Sequence, residues 1–290
     1  GQSERLDGPR SHLKKQGTPT MGGIMLIITI SLLTFLCCIL NNDMIPIILP
    51  VALASIGFGI VGFVDDFKKV VLKNTDGLSP KLKLLGQLIV SVVFIVYLLN
   101  YAKFETAIKV PFTDFYLPMP IWVYVPFMIL VMLGTTNAIN LTDGVDGLAG
   151  SVTAIIVGAL SVIAFRISIF GISIFGAIVC GSILGFLIYN FHKAKVIMGD
   201  TGSLLLGGVV SSMAIYLQNP LILIILAIIP ICETISVILQ VLSGFFLGKR
   251  LFKMAPLHHH FELTGWRENR VVGVFSLITF VMAIVGIIIA

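Results

Sequence analysis

Long apolar runs separated by short polar knots set the pattern of this chain. Nine runs are close to the roughly 20 residues that a helix needs to cross a bilayer. They cover residues 21–40, 45–64, 81–101, 121–139, 148–165, 169–189, 203–218, 221–242 and 271–290. The runs are solid apolar blocks without the alternation of barrel strands, so spanning helices are predicted. Pro111, Pro118 and Pro120 mark residues 102–120 as a loop, with room for a short hairpin. Pro230 predicts a kink in the eighth run. The expected architecture is an all-α polytopic integral membrane protein with nine transmembrane helices, forming one membrane-embedded domain over residues 1–290.

Composition agrees with this. The chain has 290 residues, of which 57% are hydrophobic and 11% charged. An ordinary soluble domain is about 45–50% apolar and about 25% charged. Cys37, Cys38, Cys180 and Cys232 all lie inside apolar runs, without metal-ligand spacing, and read as small hydrophobes. The polar opening GQSERLDGPR predicts that no signal peptide is present. A G-x-G-x-x-G match at Gly57–Gly62 lies inside a predicted span rather than after a strand, so it reads as close helix packing instead of a dinucleotide loop. Gly181 and Gly185 are read the same way.

The polar knots carry the candidate chemistry. Residues 137–150, NAINLTDGVDGLAG, hold two Asn and two Asp among glycines, which let the backbone approach a ligand closely. Asp65 and Asp66 end the second run and are followed by Lys68, Lys69 and Lys73. Adjacent carboxylates and lysines suit a metal–phosphate site, because hard oxygens hold Mg2+ and ammonium groups hold phosphate. Asp200 sits between Gly199 and Gly202, ten residues after Asn190. His258, His259 and His260 are too close in sequence for a tetrahedral metal site, and suit phosphate donation or proton handling. Glu233, deep in the eighth run, is a candidate functional group by its position, with a helix-packing hydrogen bond as the plainer reading.

Alternation of nine spans brings all these knots to one side. With the N-terminus in the cytoplasm, the inside segments hold sixteen of the 19 Lys and Arg, leaving Lys103, Lys109 and Arg166 outside. That bias supports the orientation and accounts for the net charge of +5 without nucleic acid as a partner. An interfacial cluster of carboxylates, lysines and imidazoles suits a reaction between a water-soluble phosphorylated substrate and one held in lipid.

The segments GPRSHLKKQGTPTMGG, GFVDDFKK, NAINLTDGVDGLAGS, MGDTGS and PLHHHFELTGWRE closely resemble those of the polyprenyl-phosphate N-acetylhexosamine-1-phosphate transferases. Within that superfamily they resemble the phospho-N-acetylmuramoyl-pentapeptide transferase branch. The resemblance spans essentially the whole chain in the same order. It implies transfer of phospho-MurNAc-pentapeptide from UDP-MurNAc-pentapeptide to undecaprenyl phosphate, giving lipid I and UMP, with Mg2+ as cofactor. It also implies a multi-pass protein of the bacterial inner membrane with a cytoplasmic active site, and a homodimer contact.

By the same resemblance Asp65, Asp66, Asp200 and His258 are catalytic, with Asp200 the Mg2+ ligand. Lys15, Thr20, Lys81, Asn140, Asp143, Gly144, Asp146, Asn190, His259 and His260 are implied substrate contacts. Direct attack and an aspartyl-linked intermediate are both compatible with these motifs. The family has ten spans, and this chain begins just after the first of them. Two other readings remain from the residues: a sibling enzyme using UDP-GlcNAc, and a transporter of the same lipid built around Glu233 and Pro230.

Overall fold

The structure is a computed structural model that describes residues 17–73 and 77–290. Lys15, an expected substrate contact, lies outside the described residues. The helices are α1 (Gly23–Leu40), α2 (Ile45–Val70), α3 (Pro80–Asn100), α4 (Ile121–Thr142), α5 (Leu148–Arg166), α6 (Phe170–Asn190), α7 (Gly199–Tyr216), α8 (Leu223–Leu226), α9 (Ile228–Leu247), α10 (Leu257–Leu263) and α11 (Glu268–Ile289). Strands β1 (Ala107–Lys109) and β2 (Tyr116–Pro118) pair antiparallel between α3 and α4, with Ile108 opposite Leu117. The protein is an all-α polytopic membrane protein. Among the described residues, eight helices are long and apolar enough to cross a bilayer: α1 to α6, α9 and α11.

Helix α7 has a spanning length but is not in that set, and its environment explains why. Every residue from Thr201 to Tyr216 is buried, so α7 packs against other helices on all sides. A helix without lipid contact can carry hydroxyls, provided each finds an acceptor. Ser203 donates to the Gly199 carbonyl at 3.1 Å and Ser211 to that of Gly207 at 2.8 Å. The close approach also requires glycine. A Cβ on Gly62 of α2 would overlap the backbone of Asp200 and Thr201, and one on Gly23 of α1 would overlap Gly202. Gly62 closes the GFGIVG stretch, whose reading as helix packing is therefore correct.

Four local features depart from the sequence expectation. Helix α2 runs six residues beyond the predicted end of its span and carries Asp65, Asp66 and Lys69 on its last turns. The eighth run breaks instead of bending. Helix α8 ends at Leu226 and α9 starts at Ile228, because Pro230 has no N–H and its ring clashes with the carbonyl four residues earlier. Helix α10 was not expected in the polar segment 243–270. Gly181 and Gly185 make no close helix contact. Open space surrounds both, and they line a groove with Met25 and Thr29 of α1.

The loops sort to two ends. At one end Lys109 donates its backbone N–H to the Gln218 carbonyl at 2.8 Å. Its side chain reaches the Ala290 carbonyl, and Arg166 reaches that of Ile287. These two cations meet the unsatisfied carbonyls that end α11, where the helix dipole is negative. The opposite end gathers the candidate chemistry.

Candidate active site

Asp65 and Asp66 follow one another on α2, yet they face different partners. Asp66 is 5% exposed and lies at the N-terminus of α7. Its Oδ1 accepts the Asp200 N–H at 3.2 Å, and its Oδ2 accepts the N–H and hydroxyl of Thr201 at 2.8 and 2.6 Å. It therefore caps α7 from another helix, placing an anion at the positive end of the dipole. Asp65 turns to the loop before α3. The Leu78 N–H donates to its Oδ1 at 2.6 Å, and Lys69 to its Oδ2 at 2.7 Å. The expected catalytic pair is thus one carboxylate that holds a helix end and one that faces the lysines.

Asp200 is the meeting point. Lys69 donates to its Oδ2 at 2.8 Å and Lys83 at 3.1 Å. Asn140 donates to its Oδ1 at 2.7 Å and also to the Ser203 hydroxyl at 2.8 Å. The Lys69 ammonium spans Asp65 and Asp200, so a cation already balances two hard anionic oxygens there. That donor set fits a divalent oxygen-seeking ion. Thr20 is close by: the Ile197 N–H donates to the Pro19 carbonyl at 2.8 Å, and the Gly22 and Gly23 N–H groups donate to Ile197 and Met198 at 2.9 Å. This zip runs residues 19–23 alongside the entry to α7.

Lys81 and Lys83 separate on α3. Two residues on a helix point to opposite sides, and Lys81 is exposed while Lys83 is half-buried toward Asp200. Lys83 was not singled out in the sequence. Its signal was Gln87, one turn further on and 1% exposed, which exchanges hydrogen bonds with Asn137 of α4 at 2.7 and 3.4 Å.

The turn between α4 and α5 continues the site. Gly147 takes the left-handed conformation at φ +79 that glycine allows. Asn190 accepts its N–H at 3.1 Å and donates to the Val196 carbonyl at 2.9 Å. Asn190 thus pins this turn to the segment before α7. Asp146 accepts the Ala194 N–H at 3.0 Å, and Asp143 ends α4, half-buried. His192 Nδ1 lies 3.8 Å from Asp146 and 3.5 Å from Glu268. Among the described residues, Asp146, His192 and Glu268 are the group of three with ligand atoms within 4.8 Å of one another.

The three histidines diverge. His258 is 1% exposed, faces Glu233 through Nδ1 at 3.2 Å, and lies against Gly144, where a Cβ would overlap Nε2. His259 Nδ1 is 3.0 Å from Glu262, and His260 accepts the Lys253 N–H at 3.1 Å. Of the three, His258 lies against the α4–α5 turn.

Residues 48–218 match glycosyl transferase family 4. The chain is 44% identical over 289 residues to the phospho-N-acetylmuramoyl-pentapeptide-transferase of Staphylococcus carnosus, covering 99% of this chain and 89% of the relative. It is 45% identical over 287 residues to that of Shouchella clausii, with 99% and 88% covered, and 45% over 288 residues to that of Bacillus subtilis, with the same coverage. The chain belongs to the phospho-N-acetylmuramoyl-pentapeptide transferases of glycosyl transferase family 4. The stretch matched to glycosyl transferase family 4 runs from α2 to just past α7, and so takes in Asp65, Asp66, Lys69, Lys83, Asn140, Asp146, Asn190 and Asp200. The phospho-N-acetylmuramoyl-pentapeptide transferases extend over α10 and its imidazoles as well, since the relatives align with nearly the whole chain.

Proposed function

We propose that this protein transfers phospho-MurNAc-pentapeptide from UDP-MurNAc-pentapeptide to undecaprenyl phosphate at the cytoplasmic face of a bacterial inner membrane. The products are lipid I and UMP. The observation that carries this reading is the 44–45% identity along almost the whole chain to transferases of that name. The charge bias of the loops supports nine spans with the carboxylate end inside, α7 being the ninth.

In the reaction an oxygen of the lipid phosphate attacks the sugar-bearing phosphorus. The bond from that phosphorus to the bridging oxygen breaks, and UMP departs with the oxygen. Phosphoryl transfer of this kind needs mainly positioning and neutralisation of charge. Asp200 and Asp65 would hold Mg2+, which when bound would offset charge on the diphosphate and the leaving group. Lys69 and Lys83 place two ammonium groups against the same carboxylates and are free to turn to phosphate oxygens. Asn140 orients Asp200. Asp65 takes up or orients the proton of the acceptor phosphate. Both its oxygens already accept hydrogen bonds, which favours direct attack over an aspartyl-linked intermediate. Asp143, Gly144, Asp146 and Asn190 shape the turn that receives the nucleotide, with Thr20 beside it.

Supplying UDP-MurNAc-pentapeptide and a polyprenyl phosphate together should release UMP only when Mg2+ is present. No UMP from folded protein under those conditions rejects the reading. Replacing the donor with UDP-GlcNAc separates this enzyme from its siblings. The transporter reading loses its main support, since Glu233 faces His258 rather than a passage.

A further inference from the structure

Glu233 sits on α9, 0% exposed, in the turn that follows Pro230. A carboxyl at that depth is costly unless it is paired. Its partner is a single residue from another helix. The His258 N–H donates to Glu233 Oε1 at 3.2 Å and Oε2 at 3.4 Å, and His258 Nδ1 lies 3.2 Å from Oε1. With the carboxyl as the acceptor of this contact, the ring nitrogen facing it is the donor and carries the proton. The other nitrogen, Nε2, is buried without a hydrogen-bond partner among the described residues. It is aimed at Gly144 in the turn between α4 and α5. A buried polar atom without a partner is uncommon and calls for an explanation. Gly144 lies four residues after Asn140, just past the end of α4, and Asn140 holds Asp200. The unpartnered nitrogen therefore faces the α4–α5 turn, which follows directly on the helix that carries Asn140.

We propose that Glu233 is a positioning residue that fixes the orientation and Nδ1-protonated form of the His258 imidazole, presenting Nε2 to the nucleotide-sugar donor at Gly144. The inference rests on the proposed transferase reaction for its substrate, but not for its geometry. Glu233 does not touch substrate and acts through His258, as the third group of a catalytic constellation orients an imidazole. The break ahead of Pro230 divides α8 from α9 just before the turn that carries Glu233.

Two measurements test this. Nitrogen-15 NMR of histidine-labelled protein, with the His258 signals assigned by their loss in His258→Asn, should show Nδ1 protonated in the wild type. A neutral ring protonated only at Nε2 overturns the proposal. Steady-state kinetics with UDP-MurNAc-pentapeptide then complete a double-mutant cycle. Glu233→Gln should lower kcat by about 10- to 100-fold, with a much smaller change in KM, and Glu233→Asp should restore part of the loss. In the His258→Ala background, Glu233→Gln should change kcat by less than about twofold, because residues acting as a unit do not add. Losses that multiply, or that follow thermal stability across all variants, would make Glu233 a packing residue and overturn the proposal. If the wild type releases no UMP, the proposed function fails, while the nitrogen spectrum still decides the role of Glu233.

Discussion

Asp66 accepts two hydrogen bonds from Thr201 through a single oxygen, from the backbone N–H at 2.8 Å and from the hydroxyl at 2.6 Å. This contact ties the end of α2 to the start of α7, the helix around which the others pack. Asp66→Asn puts an amide donor among groups that are themselves donors. Hydrogen bonds to a buried charge contribute about 1.5–3 kcal/mol each, so the variant should unfold at clearly lower temperature in detergent. An unchanged midpoint would remove Asp66 from the framework.

Asp65→Asn should behave differently. Asp65 faces Lys69 and the Leu78 N–H, away from the interior of α7. Turnover should fall by at least about 100-fold, the usual range for a lost proton-handling group. UMP binding should stay near that of the wild type. Unchanged turnover would leave Asp65 with a structural role only.

Asp200→Asn should abolish activity together with its dependence on Mg2+. Neutralising the carboxylate that Lys69 and Lys83 both approach would remove the proposed anionic ligand for Mg2+. The check is UMP release over a Mg2+ titration. A variant that still turns over and still responds to Mg2+ would place the metal elsewhere.

Lys83 and Lys81 should separate in the same assay. Lys83→Met takes an ammonium from the Asp200 carboxylate and should cost at least about tenfold in kcat/KM, on the order of 1.4 kcal/mol. Lys81→Met, on the exposed side of α3, should cost less. Equal losses would mean that the two lysines act together on the lipid phosphate.

Gly144→Ala should leave the fold intact while displacing the His258 ring, since the added methyl overlaps Nε2. A drop in turnover comparable to that of His258→Ala, with an unchanged unfolding midpoint, is the expected result. Wild-type turnover in Gly144→Ala would detach the ring from the reaction.

Much of this was readable along the chain. The spans are legible because about 20 consecutive apolar residues have few stable places outside a bilayer. Asp65, Asn140, Asp146 and Asp200 stand out because carboxylates and amides are rare in such a chain. The separation of Asp65 from Asp66 was not readable, because neighbours in sequence become different sites only when α7 approaches one of them. Lys83 and the partner of Glu233 were obscured for a related reason. The first stood two residues from another lysine, and the second lay 25 residues from Glu233.

Sequence by itself determined the membrane class, the number of apolar runs and the polar segments that converge at one end, since these follow from local hydropathy and charge. The tertiary structure decided which oxygen receives which donor. It made α7 a helix buried on all sides, Asp66 its cap, Asp200 the meeting point of two lysines and Glu233 the partner of His258. Those choices depend on helices brought within about 3 Å of one another, a distance that no local pattern encodes.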